Sequence, residues 1–147
     1  MTHRASPEDG GRRYIIQQGR RHNLPFSDAV LAGSTLYLAG RIGFDPKTGK
    51  PAENVEDEAR FVLAGIQGVL ASAGMDMNDL VYVQIFCPDM SLFERFNAVY
   101  VTFFQGELPA RAFLGSGPLL YGARFEVQGI AVRRRAAPRG AGRKPRR

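Results

Sequence analysis

Two charged residues late in the chain carry the chemistry worth testing first. Arg111 follows Pro109 and Ala110 at the head of one strand-like run, and Glu126 sits in the next, Phe125 to Val132. Gly115, Gly117, Pro118 and Gly122 lie between them and could turn the chain back on itself. A hairpin over this stretch would set a fixed cation and an acid at neighbouring positions of one sheet. A guanidinium grips a carboxylate through two parallel hydrogen bonds, which fixes both position and direction. A nearby carboxylate can orient or deprotonate a water molecule. The pair therefore suits hydrolysis of a small substrate that carries its own carboxylate. The plainer alternatives are an interface salt bridge for Arg111 and a solvent-facing strand position for Glu126.

Other chemistries find little footing. His3 lies near the start and His22 ahead of the folded part, so neither belongs to a metal cluster, and no cofactor is expected. There is no phosphate-cradling glycine loop, no dinucleotide fingerprint and no Ser-His-Asp set. Cys87 is the single cysteine, which excludes an intrachain disulfide and reads as a buried core thiol. No apolar run approaches a membrane span, and residues 1–13 are too polar for a signal peptide, so the protein reads as cytoplasmic with no membrane partner. The 147 residues fit one domain with tails, and a 44% hydrophobic share is ordinary for a globular core. The formal charge of +6 is local. Arg133, Arg134, Arg135, Arg139, Arg143, Lys144, Arg146 and Arg147 crowd the end with no acid among them, which leaves the body slightly acidic. That end, rich in Arg, Gly, Pro and Ala, has nothing to bury. It reads as a disordered basic tail over 135–147, open to weak contact with nucleic acid or another acidic partner.

The elements that must position Arg111 and Glu126 follow from periodicity. Residues 1–13 read as disordered, and Tyr14 to Ile16 as a short strand. Ala29 to Ala32 is apolar, Gly33-Ser34 reads as a turn, and Thr35 to Ile42 alternates, with Leu36, Leu38 and Gly40 on one face and Tyr37, Ala39 and Arg41 on the other. Asp45-Pro46-Lys47-Thr48-Gly49 is a turn. Asn54 caps a helix with Glu56, Asp57 and Glu58 in its first turn. Val55, Ala59, Val62, Ile66, Val69, Leu70 and Ala73 form its apolar stripe, and Gly74 ends it. Gly65 and Gly68 would let it lie close on the sheet. Val81 to Cys87 is a strand. Ser91 and Glu94 read as the capping box of a second helix carrying Leu92, Phe96, Val99, Tyr100 and Phe103. Two helices cover one face of such a sheet, so the other should be buried against further copies of the chain.

Taken together, the motifs resemble those of the Rid family, also called YjgF-type or L-PSP-type proteins. The resemblance spans about residues 24 to 134 within a domain set at 14–134. Its carriers are Leu38 to Ile42, Asp45 to Gly49, Asn97 to Tyr100, Pro109-Ala110-Arg111 and Glu126 to Val132. It implies an α+β, chorismate-mutase-like mixed sheet backed on one face by two helices and assembled as a homotrimer with clefts between subunits. It further implies hydrolysis of small enamine or imine acids, such as 2-aminoacrylate, to the keto acid and ammonia. By the same resemblance Arg111 holds the substrate carboxylate, Glu126 places the water, and Phe26, Gly40, Arg41, Asn97 and Phe113 line the site. The chain departs from the family pattern at Phe26 (often tyrosine), Ala39 (serine), Arg41 (glutamine) and Ala112-Phe113 (serine, often cysteine). These changes make the pocket less polar and more crowded. RNA binding with endoribonuclease activity, and a non-catalytic metabolite-binding trimer, remain as alternatives.

Overall fold

The computed structural model describes residues 11–20 and 23–134. Its elements follow the expected order: strands β1 (Arg12–Ile15), β2 (Ala29–Ala32) and β3 (Thr35–Ile42), helix α1 (Val55–Ser72), strand β4 (Leu80–Cys87), helix α2 (Phe93–Tyr100), and strands β5 (Ala110–Gly115) and β6 (Glu126–Val132). The strands form one six-stranded mixed sheet in the order β1-β2-β3-β6-β4-β5. β4 and β5 run parallel and the other neighbours antiparallel.

Helix α1 forms as its sequence dictates. The Asn54 side chain accepts a hydrogen bond from the Asp57 N–H at 3.0 Å, and three acids occupy the first turn, where the helix dipole favours them. Its buried stripe includes Val55, Ala59, Val62, Ile66, Val69 and Leu70. Gly74 leaves the helix at φ +70, which a glycine tolerates best. The stripe packs on the sheet with Phe96, Phe125, Leu36 and Ile85, all fully buried. Cys87 joins this core, and burial raises its thiol pKa. Where β3 ends, a Cβ on Gly43 would stand 2.5 Å from the Glu58 carbonyl oxygen and 2.6 Å from the Val62 nitrogen. Glycine alone allows strand and helix backbones to meet there.

Several local expectations are corrected. The second helix has no serine cap. Asp89 instead accepts from the Ser91 N–H at 3.0 Å and from its hydroxyl at 2.7 Å, which caps a short 3-10 turn that leads into α2. β1 starts at Arg12, because Arg12 and Arg13 pair with Ala32 and Leu31, so these two arginines belong to the sheet and not to an unstructured leader. β5 and β6 are not a hairpin, since β4 lies between them. In β3 the alternation breaks between Leu38 and Arg41. One residue of β6 lies between their partners Gly129 and Val127, whereas two residues of β3 do. This bulge turns Arg41 toward α1. At the chain's end, the Arg133 N–H donates to the Ser34 carbonyl at 2.8 Å, and Arg134 pairs with Asp76 and Asp79, each at 2.8 Å. These two arginines are fastened to the body. The remainder of the tail, 135–147, with the nucleic-acid contact expected of it, lies outside the described residues, as do 1–10.

Both helices lie on one face. The other carries Tyr37, which is 52% exposed, with half-buried Tyr82, Phe86 and Ile130 and a 2.9 Å hydrogen bond from Gln128 to Gln84. No element among the described residues covers it. No helix among them is long and apolar enough to cross a membrane.

Candidate active site

Arg111 lies on β5, at the edge of the sheet, in register with the buried Val83 and so on the helix side. Its guanidinium carbon is 4.7 Å from the Tyr100 ring centroid and 5.6 Å from those of Phe93 and Phe113. These distances are within the range of cation–π attraction. Among the described residues it makes no hydrogen bond and no ion pair. Phe93, Asn97 and Tyr100 follow one another at helical spacings of four and three, so Asn97 shares the face of α2 whose rings flank the guanidinium. The Asn97 side-chain oxygen and the Tyr100 hydroxyl are buried with no hydrogen-bond partner. Burial pushes the Tyr100 phenol up to about 12, with the Arg111 charge pulling the other way. Phe113, one pleat further along β5, sets its ring edge-on to Phe93 at 5.0 Å and to Phe96 at 5.6 Å.

Glu126 and Gly40 form a second group. A Cβ on Gly40 would come within 3.2 Å of the Glu126 carboxyl carbon and Oε1, so the glycine leaves room for that carboxylate. Glu126 alternates with the buried Val127 and projects from the face that the helices leave open. The backbone just before it is held by Glu58, whose fully buried carboxylate accepts from the N–H groups of Arg124 at 2.7 Å and Phe125 at 3.1 Å. Glu58 also pairs with the Arg124 side chain at 2.8 Å. Sequence reading placed Glu58 among the helix-start acids. Its position on the apolar stripe, between Val55 and Val62, was the signal for something more.

A third group gathers around Asp28, which is 7% exposed and was not singled out in the sequence. It accepts from the Gln17 N–H at 2.7 Å and lies 3.2 Å from Arg20 and 3.7 Å from Arg41. Arg41 packs against Gly65 of α1, where a Cβ would meet its Nε at 2.8 Å. Burial draws the Arg41 pKa down, and Asp28 works against that. Arg20 also donates to the Phe26 carbonyl at 2.6 Å and lies 5.5 Å from its ring. Phe26 itself is 48% exposed.

The expected site residues therefore fall into three groups: Arg111, Asn97 and Phe113; Glu126 and Gly40; Phe26 and Arg41. Within one chain Arg111 and Glu126 stand on opposite faces with β4 between their strands. An open depression of about 450 Å³ lined by Gln67, Asp76, Asn78, Thr102 and Gln105 holds none of them.

Residues 20–133 match the family described as endoribonuclease L-PSP. The chain belongs to this family, the Rid or YjgF type. A curated Rid-family relative, the 2-iminobutanoate/2-iminopropanoate deaminase of Mus musculus, is 38% identical over 109 residues, which are 74% of this chain and 81% of the mouse protein. Among solved structures, RidA from an Antarctic Psychrobacter superposes with a TM-score of 0.75 at 31% identity, covering 82% of this chain and 99% of that one. Escherichia coli TdcF with bound serine gives 0.76 at 29% identity, covering 83% and 100%.

Proposed function

We propose that this Rid-family chain hydrolyses small 2-imino or enamine carboxylic acids to the keto acid and ammonia. Relatives named as deaminases match about three quarters of it, which makes it a deaminase-like hydrolase. The observation that carries the substrate class is the state of Arg111: a half-buried guanidinium walled by rings, with no anion on it among the described residues, while the Asn97 oxygen on the helix face that supplies two of those rings is unpartnered. A substrate carboxylate completes the cation through a bidentate pair. The Asn97 oxygen then accepts an N–H from the protonated imine. Water adds to the carbon of the C=N bond, which an iminium already makes electrophilic, and a tetrahedral amino alcohol results. Glu126 takes a proton from that water and returns it to nitrogen. The hydroxyl proton then passes to the Glu126 carboxylate as the C=O bond forms and the C–N bond breaks; ammonia leaves, and the keto acid remains.

Because Glu126 and Arg111 face opposite ways in one chain, this chemistry requires two copies. In the proposed homotrimer the open sheet faces pack together. Each cleft takes Arg111, Asn97 and Phe113 from one copy and Glu126 and Gly40 from another, with Phe26 at the rim. The exposed Tyr37 and the half-buried Tyr82, Phe86 and Ile130 support that packing. Arg41, engaged by Asp28 and packed on α1, serves the fold in this reading.

The test is ammonia release from 2-imino acids generated in situ by an amino acid oxidase. The wild-type chain should accelerate release, Arg111→Ala should remove the gain, and sedimentation should give three times the mass of the chain. No acceleration across a panel of imino acids, or a monomer at assay concentration, refutes the proposal.

A further inference from the structure

An arginine that waits for an anion needs something to orient it. A carboxylate partner would do so at the expense of the N–H edge that the ligand must use. Arg111 has no such partner among the described residues. It has three rings, and they differ in burial: Tyr100 is 3% exposed, Phe113 half-buried and Phe93 39% exposed. Tyr100 is also the nearest of them at 4.7 Å. Its own ring packs against Phe104 at 4.8 Å and Phe96 at 5.9 Å, which helps to hold it in place. The hydroxyl of Tyr100 meets no partner, so the packing makes use of the ring face.

We infer that the aromatic box of Phe93, Tyr100 and Phe113 is the positioning device of the carboxylate clamp, with Tyr100 as its floor. The ring faces set the plane of the guanidinium and leave all of its N–H groups for the ligand. Phe93 and Phe113 add two further ring contacts at 5.6 Å each. The box also keeps water from part of the cation, which sharpens its demand for an anion. Tyr100 acts through Arg111 and not on the reacting atoms. This inference rests on the assignment of Arg111 as the carboxylate ligand.

The experiment measures pyruvate binding to the full chain by calorimetry, alongside the deamination kinetics. Tyr100→Leu should weaken pyruvate binding about tenfold, with the loss in catalysis falling on KM more than on kcat. Tyr100→Phe keeps the ring and should bind as the wild type does. Phe93→Leu, at an exposed position that the core does not need, should weaken binding about two- to threefold and serves if Tyr100→Leu does not fold. Wild-type affinity in the folded Leu variants overturns the inference, as does a Phe variant as weak as Tyr100→Leu. Arg111→Ala tells the two claims apart: if it still binds pyruvate normally, the assignment of Arg111 fails. If it loses binding while Tyr100→Leu and Phe93→Leu do not, the box alone fails.

Discussion

Arg124 and Arg111 are the same kind of side chain in opposite conditions. Arg124 is engaged at each of its three nitrogens: Nε pairs with Glu58 at 2.8 Å, one terminal nitrogen donates to the Glu53 carbonyl at 2.9 Å, and the other donates to that of Ala52. Among the described residues Arg111 has ring faces alone. A cation held at every nitrogen by its own chain belongs to the fold. One whose donors are left open near buried, unpartnered polar atoms is a candidate for a ligand. Variants can break or sharpen that contrast.

The largest effect is expected at the Arg124 end. Glu58→Ala strands the Arg124 side chain and two backbone N–H groups and should cost about 3–5 kcal/mol in denaturant unfolding. A loss under about 1 kcal/mol would erase the distinction. Arg111→Ala should do the reverse, with stability within about 0.5 kcal/mol of wild type and deamination reduced on the order of 100-fold, about 2.7 kcal/mol in the barrier. If that variant unfolds easily, Arg111 is structural after all. Gly43→Ala sharpens the first half, because its Cβ would press on the helix backbone at Glu58 and Val62. Overpacking there should cost about 1–3 kcal/mol, read from the denaturant midpoint. Asn54→Ala, which uncaps the helix that carries Glu58, should cost about 1 kcal/mol in the same assay.

The smallest effect belongs to an exposed pair. Arg95 holds Glu56 at 2.7 Å and depresses its pKa from 4.5 to about 2, chiefly through the side-chain hydrogen bond. A carboxylate depressed on folding contributes stability above its unfolded pKa and loses it as pH falls through the folded value. The contribution should therefore be complete above about pH 5 and fade toward pH 2. Solvent keeps it small. A carboxyl NMR titration checks the shift, and Arg95→Ala should raise the Glu56 pKa toward its ordinary range.

Much of the fold was legible in the sequence because its signals are local. The stripe and cap of α1, the left-handed Gly74 and the order of the elements need only near neighbours along the chain. The pairing of β5 with β4 was not legible, because glycines and a proline between two strands look alike whether the chain turns back or crosses over. The Asp89 cap was hidden by a serine that fitted a familiar motif two residues on. In the site, the chemical identities of Arg111, Asn97 and Glu126 stood out, whereas their placement did not. Tyr100 read as core by its spacing and Phe93 was not singled out, and nothing local said that a cation from another strand would lie on them. Asp28 gave no signal, since its partners come from Gln17, Arg20 and Arg41 through tertiary contact.

The irregularity in β3 has a reach beyond its own two residues. Before it, even-numbered side chains turn inward. After it, odd-numbered ones do, as the pairing of Arg41 with Val127 requires. It works as a phase shifter for the strand's far end. A related chain one residue shorter at this point would show nearly the same letters while presenting the opposite set of side chains to Glu126. Transfer of a role between such chains by position alone would assign it to a residue that looks the other way.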